Sequence, residues 1–254
     1  SVVVYPYCAC LCGEISSSER YAQGVSMKAM ILAAGLGNRM RPLTLTTPKP
    51  LLSVGGKPLI VWHIEALKAA GIQQIVINTA WLAHKLHEAL GDGSAYGVQI
   101  LWSDEHEPLE TAGGIRQALP LLGDEPFLLV NGDIWLAYDF QKLIPKDLGQ
   151  NLAHLVLVDN PPQHPNGDFA FERDRVNAQV LVEGTEKYTF AGMSLLSPRL
   201  FASLPVGKAP LAPLLRQAIA QGLVTAEHHA GAWVDVGTPE RLAELDQYLQ
   251  AQKI

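Results

Sequence analysis

Four charged side chains stand where polyphosphate chemistry would need them. Arg39 and Lys49 follow a small-residue loop, Ala33-Ala34-Gly35-Leu36-Gly37-Asn38. Glycines let a backbone approach a phosphate closely and aim N–H groups at it. The guanidinium and ammonium supply the neutralising charge. Asp133 ends Asn131-Gly132-Asp133, directly after the apolar run Phe127–Val130. A carboxylate at the end of a central strand faces the ligand crevice of an α/β sheet. Magnesium prefers one or two such hard oxygen donors together with phosphates. Asp235, in Trp233-Val234-Asp235-Val236-Gly237-Thr238-Pro239-Glu240, could supply a second. The two aspartates lie about a hundred residues apart, so only a fold can unite them. Plainer readings exist for each: Gly-x-Gly and Asn-Gly-Asp suit turns, and Asp235 suits an Asx turn ahead of a capped helix.

The elements that must carry these residues alternate along the chain. Ala29–Ala33 reads as a buried strand running into the loop. Ile60–Ala70 has a helical apolar face and a stop at Gly71. A strand over Gln74–Asn78, a helix over Leu82–Leu90, a strand over Val98–Trp102, a helix over Ala112–Leu119 and a strand over Pro126–Val130 follow. This spacing predicts an α/β fold: a three-layer, Rossmann-like, mostly parallel sheet with helices on both faces. The second half is less regular. Short strands over His154–Val158, Phe169–Phe171, Asn177–Val182 and Tyr188–Leu195 suggest a small antiparallel flap. Helices are expected over Leu211–Gln221 and Pro239–Gln250, the latter capped by Thr238. Gly35-x-Gly37 lacks the third glycine of the dinucleotide fingerprint, and no P-loop pattern occurs.

The 254 residues suffice for one large domain, and 48% of them are hydrophobic, enough for a core. A net charge of −6 argues against nucleic-acid or anionic-membrane partners, which favour a basic surface. No apolar run approaches the roughly 18 residues of a membrane span. All three cysteines, Cys8, Cys10 and Cys12, fall in residues 1–26. That segment has neither strand nor helix period nor the build of an export signal. It is expected to be an extension outside the fold, with residues 27–254 forming one domain from Met27 onward and a cytoplasmic location.

The string Leu32-Ala33-Ala34-Gly35-Leu36-Gly37-Asn38-Arg39-Met40-Arg41-Pro42-Leu43-Thr44, followed by Pro48-Lys49-Pro50-Leu51, resembles the signature of the sugar-phosphate nucleotidyltransferases. Those enzymes join a nucleoside triphosphate to a sugar 1-phosphate and release pyrophosphate. The resemblance implies the nucleotide-diphospho-sugar transferase fold, with the flap over the sugar. It makes Arg39, Lys49 and Asp133 catalytic and Asp133 with Asp235 the Mg2+ ligands. Leu109-Glu110-Thr111-Ala112-Gly113-Gly114 resembles the family's base-pocket segment, with Glu110 where glycine is usual. Glu105 matches a position that pairs with the base edge. Ala33, Ala34, Gly35, Gly37, Asn38, Glu105, Glu110, Gly113 and Gly114 are therefore the expected nucleotide contacts. Asn131, Gly192 and Lys187 are the expected sugar contacts, since Phe190-Ala191-Gly192-Met193 resembles the family's sugar segment. Glu110 also suits the positive end of a helix, and Lys187 a solvated turn.

Within that family, the chain length, the Leu109–Gly114 variant and Lys187–Met193 resemble the N-acetylmuramate 1-phosphate uridylyltransferases of bacterial peptidoglycan recycling. This implies UTP and N-acetylmuramate 1-phosphate as small-molecule substrates. A mannose 1-phosphate guanylyltransferase and a non-catalytic sugar-nucleotide sensor are the alternatives. The lactyl carboxylate of the muramate would need a cation, for which Lys187 and Arg199 are the candidates the sequence offers.

Overall fold

The computed structural model describes residues 27–144, 146–171 and 178–252. The expectations about the first 26 residues and their cysteines fall outside the described residues. In chain order the elements are β1 (Ala29–Leu32), β2 (Ser53–Val54), β3 (Lys57–Pro58), α1 (Leu59–Ala69), β4 (Gln74–Thr79), α2 (Ala83–Leu90), β5 (Gln99–Asp104), α3 (Glu110–Leu122), β6 (Phe127–Asn131), β7 (Ile134–Leu136), β8 (Ala153–Val158), β9 (Phe169–Phe171), β10 (Ala178–Leu181), β11 (Lys187–Leu196), α4 (Leu211–Ala220), β12 (Val224–His228), β13 (Trp233–Asp235) and α5 (Pro239–Ala251).

The main sheet runs β5-β4-β1-β6-β11-β8-β12-β10-β9. Its first four strands are parallel, as the strand–helix alternation predicts. Their side chains split by period 2 between two cores. Ala29, Ile31, Ile75 and Ile77 pack with Ile60 and Ile64 of α1 and Leu86 of α2. Met30, Val76 and Leu129 pack with Ile115 of α3 and Leu215 of α4 on the opposite face. The sheet is therefore the middle of three layers. With both faces covered, its strands read as unbroken apolar runs.

The second half continues the same sheet. β11 is antiparallel to both β6 and β8. Its register on β8 shifts between Phe190 and Ser194, where Gly192 adopts φ 82°. Such an irregularity bends a strand out of a flat ladder. The first residues of β11 pair with β9, and β9 with β10, giving the antiparallel flap. A separate two-stranded pair, β7 with β13, joins Ile134–Leu136 to Trp233–Asp235. The sequence reading missed β7, the β2–β3 pair and β12: two- and three-residue strands carry no readable period, and Val224–His228 is a short run that ends in polar residues.

Thr238 caps α5 as expected, accepting from the Arg241 N–H at 3.3 Å, with Pro239 in the first turn. Leu245 and Leu249 of this helix join Val54, Trp135 and Val236 in a third core. Among the described residues, no helix is long and apolar enough to cross a membrane.

Candidate active site

The C-terminal ends of β1, β4, β5 and β6 converge on a cavity of about 470 Å³. The loop after β1 forms one wall. Ala33 N–H donates to Asn78 Oδ1 at 2.9 Å, tying the loop to the end of β4. Gly37 has φ 64°, a left-handed conformation that glycine adopts without strain, and its carbonyl accepts from the Thr44 hydroxyl at 2.7 Å. The backbone then tightens into a 3-10 turn at Asn38–Met40, which presents Arg39 to the cavity. Ala33, Ala34, Gly35, Gly37, Asn38 and Arg39 thus line one cavity.

Lys49 comes from the next turn. It is buried, yet it borders the cavity, and its Nζ contacts Asp133 Oδ2 at 3.0 Å. Asp133 is held from two sides. Gly132, before it, packs so closely on the Leu32 carbonyl that a Cβ there would clash. Ile134, after it, takes a 2.8 Å hydrogen bond on its carbonyl from His63 Nε2. Burial holds the His63 pKa down near 4, against the raising effects of that hydrogen bond and the Asp133 charge, so the ring is a neutral donor.

Asp235 lies opposite Ile134 in the β13–β7 ladder, and Val236 N–H donates to the Asp133 carbonyl at 2.9 Å. The fold therefore unites the two distant aspartates. Each carboxylate is engaged through Oδ2, Asp133 by Lys49 and Asp235 by Arg241 at 2.7 Å. Oδ1 of Asp235 lies beside Gly237, itself on the cavity wall. The donor set fits a hard divalent ion: two carboxylates, with the remaining ligands left to phosphate and water. Among the described residues, no cluster of three His, Cys, Asp or Glu side chains could hold a metal alone.

Glu105 follows β5 and borders the cavity while nearly buried. Its Oε1 accepts from Asn78 Nδ2 and its Oε2 from Leu109 N–H, both at 2.8 Å. A buried carboxylate must find such partners. Glu105 thus also shapes the wall, bridging the ends of β4, β5 and α3. Gly113 and Gly114 stand behind that wall and do not line it. A Cβ at Gly114 would lie 2.5 Å from Glu105 Oε1, so glycine there makes room for the carboxylate.

Glu110 opens α3 with φ 60°, an uncommon conformation for a side-chain-bearing residue. Glu110, Thr111 and Asn131 line both this cavity and a second one of about 540 Å³. The second cavity is bounded by Phe169 and Phe190 of the flap and by Leu211, Leu215 and Arg216 of α4. Asn131 packs against Gly192, which is not itself in the wall. Lys187 is a correction: it is exposed and pairs with Ala170 at the outer end of β11, away from both cavities. Arg199 is another, bonded to Ser197 Oγ and the Gly149 and Asn151 carbonyls. Lys208, which lines the first cavity, and Arg216, which lines the second, were missed. Neither sits in a local pattern that could flag it. Asn78 had a signal, a polar residue ending an apolar strand just as Asn131 does.

Residues 28–252 match the family described as Nucleotidyl transferase. The chain is 52% identical over 232 residues to an N-acetylmuramate alpha-1-phosphate uridylyltransferase from Neisseria meningitidis, covering 89% of this chain and 100% of that protein. It is 31% identical to the catalytic subunit beta of a mannose-1-phosphate guanylyltransferase from Danio rerio, spanning 89% of this chain and 65% of that longer relative. The crystal structure of a putative glucose-1-phosphate thymidylyltransferase from Bacillus anthracis superposes with a TM-score of 0.77, at 23% identity over 89% of this chain and 96% of that one, a likeness of fold. With the loop after β1, Lys49 and Asp133 in one cavity, Asp235 beside its wall at Gly237, and a family match along nearly all the described residues, the chain belongs to the nucleotidyl transferase family.

Proposed function

We propose that this protein joins UTP to N-acetylmuramate 1-phosphate, giving UDP-N-acetylmuramate and pyrophosphate, as a cytoplasmic enzyme of bacterial peptidoglycan recycling. The observation that carries this reading is the 52% identity to a uridylyltransferase of that name over the whole of the relative's length. The geometry supports it: a nucleotide-sized cavity and a second cavity share the wall of Glu110, Thr111 and Asn131.

The triphosphate lies against the loop after β1, where backbone N–H groups and Arg39 receive the phosphates. The sugar 1-phosphate enters from the second cavity. Its phosphate oxygen attacks the α-phosphorus in line, and the bond to pyrophosphate breaks. Such a transfer depends on positioning and charge neutralisation more than on a covalent catalyst. Lys49 stabilises the charge that develops as the bonds exchange. A phosphate monoester is already anionic near pH 7, so no general base is needed, and the histidines have no part in proton transfer. Asp133 and Asp235 would hold Mg2+, which supplies further neutralisation of the reacting phosphates when bound.

Pyrophosphate release with UTP, GTP, dTTP and CTP against N-acetylmuramate, N-acetylglucosamine, mannose and glucose 1-phosphates tests the assignment. The expected maximum is UTP with the muramate. A maximum at GTP with mannose would overturn the substrates while keeping the chemistry, and no turnover with any pair would overturn catalysis.

A further inference from the structure

Among the described residues lining the second cavity, Arg216 is the one cation, and none of them forms an ion pair with it. Arg216 lies on α4, one turn beyond Ala212, and borders the cavity with an exposed side chain. Among the described residues it has no ion-pair partner. The two carboxylates of the same cavity are otherwise engaged. Glu110 Oε1 faces Lys208 at 3.7 Å. Asp168 Oδ1 is 2.9 Å from His164 Nε2, and its Oδ2 accepts the Phe190 N–H at 2.8 Å. Beside Arg216 the wall turns apolar, with Leu211 and Leu215 of α4 facing Phe169 and Phe190 of the flap.

An uncommitted guanidinium next to an apolar patch fits a ligand that carries a carboxylate next to a methyl group. Resting on the proposed substrates, we infer that Arg216 receives the lactyl carboxylate of the muramate sugar and so sets the preference for a sugar acid over a neutral sugar. The lactyl ether is the part of N-acetylmuramate that N-acetylglucosamine lacks, and it ends in both groups. Arginine is suited to the role because its fork of N–H donors matches a carboxylate with two parallel hydrogen bonds. Asp168 is held by His164 and the Phe190 N–H, and Glu110 faces Lys208, so neither carboxylate of the cavity is paired with Arg216. Arg216 makes no contact with the reacting phosphates in this scheme, so its contribution falls on substrate affinity.

The test compares N-acetylmuramate 1-phosphate with its lactyl methyl ester, at saturating UTP, in the intact protein, in Arg216→Gln and in Arg216→Lys. The ester keeps the shape of the substrate and removes its charge. The unaltered protein should lose about 10- to 100-fold in kcat/KM on going from acid to ester, mostly through KM. Arg216→Gln should lose a similar factor on the acid and handle acid and ester alike, while Arg216→Lys recovers part of the difference. Equal kcat/KM for the acid in Arg216→Gln and the unaltered protein would overturn the assignment. So would a loss that is the same for acid and ester. Turnover of another nucleotide–sugar pair, with none of the muramate by the unaltered protein, would overturn the proposed substrates and this inference with them.

Discussion

Replacing Lys49 by alanine separates the chemical from the structural part of the site. Lys49 Nζ lies 3.0 Å from Asp133 Oδ2. With an effective dielectric constant of about 20, Coulomb's law sets an upper bound of about 5 kcal/mol on that attraction. The Asp133 side chain is 44% exposed, so water screens it and replaces the lost partner. The expected cost to folding is then about 1 kcal/mol, a shift in Tm of roughly 2–4 °C for a chain of this size. Turnover is a different matter. Lys49, itself buried and held beside Asp133, is preorganised to meet charge that grows in the transition state. Loss of one such group costs about 2.7–4 kcal/mol, or about 100- to 1,000-fold in kcat. Pyrophosphate release under saturating substrates reads the rate, and thermal denaturation reads the fold. A loss below tenfold in a variant that melts normally would refute the role given to Lys49. A Tm drop far beyond a few degrees would instead make Lys49 a structural group.

Glu110 should carry a backbone cost, because its φ is 60°. Glu110→Gly is expected to be more stable than Glu110→Ala by about 1 kcal/mol, although glycine is the poorer helix former; the opposite order in thermal melts would remove the strain argument. Glu227 accepts from Tyr138 OH and contacts His154 Nε2 at 3.0 Å. Burial opposes its ionisation, but those hydrogen bonds and the charges of His154 and Lys146 outweigh it and draw the pKa from 4.5 to about 2. A depressed carboxyl stabilises the fold above its unfolded pKa. That contribution, about 1–2 kcal/mol after screening, should fade as the pH falls from about 4.5 to about 2 and be missing in Glu227→Gln. Acid denaturation curves of the two proteins that run parallel through that window would contradict it.

The parallel half of the sheet was legible because its signals are local. Apolar runs such as Phe127–Val130 and the glycine stop at Gly71 declare themselves to their neighbours, as do the loop of Gly35 and Gly37 and the Thr238 cap. The same locality made the residues proposed to meet the phosphates readable, since Arg39 and Lys49 lie within one short stretch of chain. Tertiary structure decided the rest. Asp133 and Asp235 meet only because two three-residue strands, β7 and β13, pair across the chain. Gly114 packs against Glu105 and Gly113 against the Gly207–Ala209 backbone, and neither lines the cavity, because of how α3 packs on its neighbours. Lys187 was expected at the sugar, yet the irregularity in β11 leaves it at the outer end of the flap, while α4 brings Arg216 to the second cavity. A residue's element is set by the few residues around it. The cavity its side chain reaches is set by strand order and register over a hundred residues or more, which no local pattern encodes.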